Sequence, residues 1–287
     1  MDTLSDEAVF LLVGSALPAE SLLRFAAASK AFGQHVESDF LEHVWARLVL
    51  HDFGSLALEL PKSLDAQKTG GARAAHQLLS ELRRKFNRSV QIVQGDLCDL
   101  PGSNPVDAIV CPSVPNCGPY GPCACAVHAV AGPDLWHHVQ TNILPGIGGY
   151  LAQGHAVAAP PFDFPGIRAI VHAVGPLAHT VNRKDCLRAT YCSVIEALEN
   201  FPGGPLQRAA TASISTGGNG IAPREAAPIA MSVFREAICE SRITCMIVVA
   251  WDVYTKGVFE EAKEAVLRAF SEDPEVPDID PDDLGWD

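Results

Sequence analysis

The chain has 287 residues, of which 48% are hydrophobic, and its formal net charge is −13. That length and apolar content suffice for a full core in one or two domains, while no apolar run approaches the roughly 20 residues of a membrane-spanning helix. Residues 271–287 contain eight acids and no Lys or Arg, so the remainder is only mildly acidic and offers no basic surface for nucleic acid. We therefore expect neither membrane nor nucleic-acid binding.

Nine cysteines occur in the chain, and no charged segment followed by an apolar one opens it. Thiols stay reduced inside cells, whereas secreted chains carry a signal peptide and form disulfides. The sequence therefore predicts a reducing compartment, which is the cytoplasm, the nucleus or both.

The first part of the chain differs in pattern from the rest. Residues 1–52 are poor in glycine, and their leucines recur at the helical period. A looser segment, 53–88, contains a basic amphipathic helix pattern at 72–86. We predict a small helical domain at 1–52, a linker with one helix at 53–88, and a disordered acidic tail at 271–287.

The helical segment LSDEAVFLLVGSALPAESLLRFAAASKAFGQHVESDFLEHVWARLVL (4–50) resembles an F-box. The resemblance rests on the opening Leu and acids, the Leu17–Pro18 pair and the leucine-rich run that follows. It departs from the usual pattern at Ser5, where a proline is common, and at Phe32, where a tryptophan is common. An F-box implies binding to the adaptor of a cullin–RING ubiquitin ligase.

A helical unit of this size is marginal alone and suits burial against a partner. The alternative interpretation is a helical cap that packs on the rest of this chain. The residues leave both open.

From Ser89 onward, short β-rich runs alternate with stretches of helical period. The runs occupy 90–94, 106–110, 155–159, 167–174, 209–214 and 245–250. The helical stretches occupy 186–200, 226–240 and 257–270. Apolar strands that alternate with helices are typical of a sheet covered on both faces. We therefore predict an α/β domain at 89–270.

A glycine-rich segment, SISTGGNGIAPREAA (213–227), follows one predicted strand and precedes a predicted helix. Ligands of open α/β sheets bind beyond the carboxyl ends of the strands. A glycine-rich turn there lets backbone N–H groups approach a phosphate, and the helix N-terminus favours negative charge. The alternative is a tight turn whose glycines serve only the connection. No Walker lysine follows, so the pattern indicates phosphate binding rather than phosphoryl transfer.

Six segments of the α/β region resemble, in chain order, motifs of the macrodomain, an ADP-ribose-binding module. They are QGDLCDL (94–100), VDAIV (106–110), AVHAVAGP (126–133), GHAVAAPPFDFPGIRAIVHAVGP (154–176), SISTGGNGIAPREAA (213–227) and VVAWD (248–252). The resemblance implies a three-layer α/β/α fold with a mixed central sheet. It also implies that ADP-ribose, free or attached to a protein, is the ligand and that no cofactor is needed.

The resemblance assigns ligand contacts at three places. Asp96 accepts a hydrogen bond from the adenine amine, and the Leu97 N–H serves a ring nitrogen. Trp251 stacks on the base beside Asp252. The alternatives are that Asp96 is a turn acid and that Trp251 is core packing. Backbone donors of one loop meet the diphosphate; its residues are Ser215, Thr216, Gly217, Gly218, Asn219, Gly220 and Ile221.

Departures from the family pattern bear on catalysis. Macrodomains that hydrolyse ADP-ribose linkages carry an Asn-rich run after the second strand and an Asp in the loop that follows. Here that run is CPSV (111–114), Ala124 stands at the Asp position, and no Asp or Glu occurs from 111 to 133. A general base must reach its proton or water at hydrogen-bond distance. The phosphate loop, with Asn219, is similar to that of macro-histones, so we predict a non-catalytic reader.

The same loop keeps two alternatives open. Its thiols and imidazole are candidates for a zinc site, although the spacing is not that of paired Cys-x₂-Cys knuckles; the candidates are Cys117, Cys123, Cys125 and His128, with Cys111 nearby. One alternative function is therefore an ADP-ribosyl hydrolase with a Cys-rich or zinc-assisted site. The other is a degenerate macrodomain that serves as a scaffold. His172, within an apolar run, is interpreted as a core residue.

Overall fold

The computed structural model describes residues 72–269. Residues 85–266 form one compact unit, and residues 72–84 with 267–269 are assigned to a second. The predicted F-box at 1–52, the linker up to residue 71 and the acidic tail lie outside the described residues.

The described residues contain a six-stranded mixed sheet, which confirms the predicted fold class for this part of the chain. Its order is β1-β6-β5-β2-β4-β3, and only the pairing of β3 with β4 is antiparallel. The strands are β1 Val90–Gln94, β2 Ala108–Pro112, β3 His155–Ala159, β4 Ala169–Val174, β5 Arg208–Ala212 and β6 Cys245–Ala250.

Helices connect the strands, as parallel pairing requires. They are α1 Ala72–Ser89, α2 Leu100–Ser103, α3 Pro122–Ala131, α4 Pro133–His138, α5 Arg183–Glu199, α6 Pro223–Glu240 and α7 Val253–Ala269. A π-helical turn, Val139–Ile143, and a 3₁₀ turn, Leu144–Ile147, follow α4. In the described part of the chain, no helix is both long and apolar enough to span a membrane.

The inner strands of the sheet lie within the hydrophobic core. Every residue of β4 and β6 is buried, so both faces of the sheet are covered. Their apolar runs, AIVHAV and CMIVVA, show the continuous hydrophobicity of such strands. Each fully buried Val, Ile or Met stabilises the fold by about 1.5–3 kcal/mol through the apolar surface it removes from water.

Asp107 joins three strands at the amino-terminal edge of the sheet. Its carboxylate accepts hydrogen bonds from the N–H groups of Gln207, at 2.8 Å, and Arg208, at 2.9 Å. Its carbonyl oxygen accepts the N–H of Arg168 at 2.6 Å. Asp107, the residue directly before β2, therefore fixes where β5 and β4 begin.

We predict that Asp107→Ala lowers the free energy of unfolding by about 1–2 kcal/mol, because two N–H groups lose a charged acceptor and regain only water. Urea denaturation of the full chain measures the change. Asp99→Ala is the matched control, since that exposed acid makes no side-chain capping bond to α2. Equal destabilisation by both variants would contradict the role given to Asp107.

Candidate functional site

One cavity of about 710 Å³ lies at the carboxyl-terminal edge of the sheet. The loops that follow β1, β2, β5 and β6 line it, with a contribution from the end of β4. These strands are neighbours in the sheet and run parallel, so their carboxyl ends meet at one edge. This is where open α/β sheets hold ligands, and the volume suits a small-molecule ligand.

The structure brings most of the predicted site residues together around this cavity. Nine of them line it: Asp96, Leu97, Ser215, Thr216, Gly217, Gly218, Asn219, Trp251 and Asp252. The other two, Gly220 and Ile221, are not among the lining residues. Ile221 is buried, and its N–H donates to the Ser215 carbonyl at 3.0 Å. Ligand contact remains a prediction for all eleven.

The β1 and β6 loops form one end of the cavity. Asp96 accepts the N–H of Cys98 on its Oδ1 at 2.8 Å, so the local turn holds the carboxylate at the cavity wall. The turn interpretation of Asp96 is thus compatible with a lining position, since the second carboxylate oxygen is not used by this bond. Trp251 is 77% exposed, and its interpretation as core packing is wrong.

Asp252, beside that tryptophan, caps the following helix. Its carboxylate accepts the N–H of Thr255 at 2.7 Å and the hydroxyl of the same residue at 2.8 Å. These bonds stabilise the charged form and hold the pKa of Asp252 below its usual value. Its oxygens are therefore engaged with α7, and Asp252 contributes negative charge at the cavity rim.

The loop after β5 is held by its own backbone. Ser215 adopts a left-handed conformation, with φ of 66°, and is buried. Its carbonyl accepts the N–H of Ile221, while the N–H of Gly220 donates to Gly217 at 2.9 Å. These two bonds close the turn around residues 216–219.

The side chain of Asn219 ties this loop to the end of β4. Its Nδ2 donates to the carbonyls of Gly175 and Pro176, both at 3.1 Å, and its own carbonyl accepts the N–H of Ala178 at 2.8 Å. A Cβ on Gly175 would lie only 2.2 Å from Ser215 Oγ, so the close approach requires glycine. The asparagine of the GGNG run (217–220) therefore has a structural role.

Four consecutive backbone N–H groups of this loop are suited to anion binding. The amides of Thr216, Gly217, Gly218 and Asn219 have no acceptor within residues 72–269, and α6 begins just beyond them at Pro223. Free amides at a helix N-terminus attract phosphate without a cationic side chain. The loop is the part of the cavity best suited to a diphosphate.

Sequence reasoning missed two lining hydroxyls. Ser213 lines the cavity, and its Oγ is buried without a hydrogen-bond partner among the described residues. Ser113 lines the part of the cavity next to β2, and its Oγ lies 3.0 Å from Nδ1 of His172. Neither lining position has a sequence signal of its own, because each depends on which strands become neighbours.

His172 is fully buried in β4, as its interpretation as a core residue predicted. Only one of its ring nitrogens is paired within the described residues, since Nε2 is buried and has no partner. Burial lowers the pKa of His172 to about 3, with a smaller effect from His128, whose ring centroid lies 5.6 Å away. The imidazole is therefore neutral at physiological pH.

The cysteine-rich loop does not gather its candidate zinc ligands. Cys117 is buried, and His128 Nε2 lies 3.1 Å from its carbonyl oxygen rather than beside its sulfur. The Cys125 thiol is exposed and donates to the Pro119 carbonyl at 2.9 Å. Across residues 72–269, no three His, Cys, Asp or Glu side chains are grouped so as to hold a metal ion.

Two thiols of this region form a pair. The Cys111 and Cys123 thiols interact, and this interaction raises the pKa of Cys111, together with its burial, and lowers that of Cys123. The hydrogen bond of the Cys111 thiol goes to the Pro112 carbonyl at 3.7 Å. Cys123 lines the cavity and Cys111 is fully buried. Among the described residues, the carboxylates that line the cavity are Asp96, which follows β1, and Asp252, which follows β6; the charge of Asp96 opposes the lowering of the pKa of Cys123.

We predict that wild-type protein loses stability relative to His172→Asn as the pH falls. The unfolded His takes up a proton near pH 6.5, whereas the folded one resists until about pH 3. Proton uptake therefore favours the unfolded state between these values, by up to about 1.4 kcal/mol per pH unit. Urea denaturation at pH 7, 6, 5 and 4 measures the difference. A difference that does not vary with pH would contradict the assignment.

Comparison with known proteins identifies the fold. Residues 117–230 match the family model for the Macro domain; this match does not reach the predicted F-box. A macrodomain of Oceanobacillus iheyensis solved with ADP is 24% identical, with a TM-score of 0.56, over 62% of this chain and 91% of that one. A Trypanosoma brucei macrodomain solved in complex with ADP-ribose is 23% identical, with a TM-score of 0.53, over 62% of this chain and 70% of that one. The described residues of this chain thus have the mixed α/β macrodomain fold.

Proposed function

We propose that this protein is a non-catalytic reader of ADP-ribose attached to protein. The observation that carries the proposal is the loop at 216–219, whose four amides have no acceptor within the described residues and lie between two chemically different ends of one cavity. An acid and an exposed tryptophan occupy one end, and hydroxyl and thiol groups occupy the other. That order matches a base, a diphosphate and a sugar.

Adenine fits the end formed by the β1 and β6 loops. Its exocyclic amine is a donor, and the carboxylate of Asp96 is an acceptor held at the wall. The exposed indole of Trp251 offers a flat apolar face at the rim. The solved macrodomains described above, with ADP and with ADP-ribose, support this choice of ligand.

Reading is favoured over hydrolysis by the chemistry at the β2 end. In the described part of the chain, the lining residues that follow β2 include Ser113, Tyr120 and Cys123 but no carboxylate. His172 is too weak a base for the task, because its buried ring resists protonation. Within residues 72–269, the lining residues that follow β2 therefore supply neither a carboxylate nor an imidazole as a general base for water.

The predicted F-box would couple this reading to protein turnover. The resemblance at residues 4–50 is the support for this part of the proposal. The chain would then act as a substrate receptor that brings ADP-ribosylated protein to a cullin–RING ubiquitin ligase.

We predict that the full chain binds ADP-ribose and that Asp96→Ala weakens binding about tenfold, or about 1.4 kcal/mol, because the adenine amine loses its acceptor. Isothermal titration calorimetry measures both affinities. Asp99→Ala is the control, since it removes an acid three residues away that does not line the cavity.

Absence of any binding by the wild-type chain would overturn the reader proposal and leave the scaffold alternative. Release of free ADP-ribose from a mono-ADP-ribosylated protein, lost when Cys123 is changed to Ala, would instead favour the hydrolase alternative.

The ligase connection has its own test. We predict that the full chain binds the purified F-box-binding adaptor in a pull-down and that Leu17→Ala combined with Pro18→Ala abolishes it, because the resemblance places both in the F-box motif. ADP-ribose binding should be unchanged in that variant. Failure of the wild-type chain to retain the adaptor would refute the connection without affecting the reader.

A further inference from the structure

A serine and a histidine lie together beneath the β2 end of the cavity. Ser113 directly follows β2 and lines the cavity. His172 lies in the neighbouring strand β4, opposite Cys111 in the register, and is fully buried. Ser113 Oγ and His172 Nδ1 are 3.0 Å apart. The pair thus connects the cavity wall to a buried ring.

The single proton of the Ser113 hydroxyl is engaged within the protein in either tautomer of His172. Ser113 Oγ lies 3.0 Å from the Cys111 carbonyl oxygen and 3.0 Å from Nδ1 of His172. If Nδ1 carries the ring proton, the hydroxyl accepts from it and donates to the carbonyl; if Nε2 carries it, the hydroxyl donates to Nδ1 or to the carbonyl. Nε2 has no partner in the described part of the chain in either case.

Ser113 consequently presents an acceptor to the cavity. Its only proton is used by the Cys111 carbonyl or by His172, and its oxygen keeps a lone pair for a donor on the ligand. The fully buried ring of His172 keeps the hydroxyl oxygen in one orientation.

The strand order determines which part of a ligand reaches this oxygen. The order β1-β6-β5-β2 places Asp96 and Trp251 first, the amides of 216–219 next and Ser113 last. A base bound at the first end and a diphosphate at the amides leave the group beyond the diphosphate at Ser113. In ADP-ribose that group is a sugar, whose hydroxyls are donors.

We propose that Ser113, oriented by His172, is the acceptor that recognises a hydroxyl of the terminal ribose and so makes the site prefer ADP-ribose to ADP. This inference rests on the proposed function, because it names how the same cavity distinguishes two ligands. Ser113 acts by direct contact with the ligand, and His172 is a positioning residue.

The test compares two ligands in calorimetry on the full chain. Ser113→Ala should weaken ADP-ribose binding roughly fivefold, the effect expected for one neutral hydrogen bond. The same variant should leave ADP binding unchanged, because ADP has no group beyond the diphosphate. Ser103→Ala is the control, since its hydroxyl bonds to the Leu100 carbonyl and does not line the cavity.

The role of His172 is tested on the same affinity ratio. His172→Asn retains an amide that can donate or accept near the Nδ1 position and should preserve the preference for ADP-ribose, whereas His172→Leu should reduce it about as much as Ser113→Ala. Combining His172→Leu with Ser113→Ala should reduce it no further. Thermal unfolding identifies a variant that has lost its fold, and ADP binding confirms that the rest of the cavity is intact.

Two results separate this inference from the function on which it rests. If the wild-type chain binds neither ligand, the proposed function fails and the inference fails with it. If both ligands bind but Ser113→Ala weakens them equally, or changes neither, the inference alone is overturned.

Discussion

Parallel pairing of β5 between β6 and β2 is the constraint on which the site depends. It places the loop at 213–222 in the middle of the cavity edge, with the β1 and β6 loops on one side and the β2 loop on the other. Residues far apart in sequence, such as Asp96, Ser113 and Trp251, thereby line one cavity. The order in which a ligand meets these groups follows from the order of the strands.

The proposed site would bind a negatively charged diphosphate although the protein itself has a net charge of −13. Among the described residues, no Lys, Arg or His lines the cavity, and two carboxylates do. Attraction must then come at short range from backbone amides rather than from the field of the whole molecule. The side-chain hydrogen bonds of Asn219 to the end of β4 hold the amides of 216–219 in place before a ligand binds.

Sequence patterns predicted the strands well and the contacts between them poorly. The ranges 90–94, 155–159 and 245–250 agree with the structure, while β2 begins and ends two residues later than predicted. Helices α2 and α4 were not predicted from periodicity, because four and six residues complete fewer than two helical turns.

Motif resemblance anticipated most cavity residues, yet the bond between Ser113 and His172 joins residues 59 apart and has no local signal. The zinc alternative relied on thiols and an imidazole that are close in sequence, and the fold directs the Cys117 carbonyl, not its sulfur, toward His128.

The binding mode is best examined in a crystal structure of the full chain with ADP-ribose. We expect diphosphate oxygens within hydrogen-bond distance of the amides of 216–219, with the base between Asp96 and Trp251 and the terminal ribose at Ser113. A ligand bound elsewhere, or phosphates held by cationic side chains while those amides remain free, would contradict this expectation.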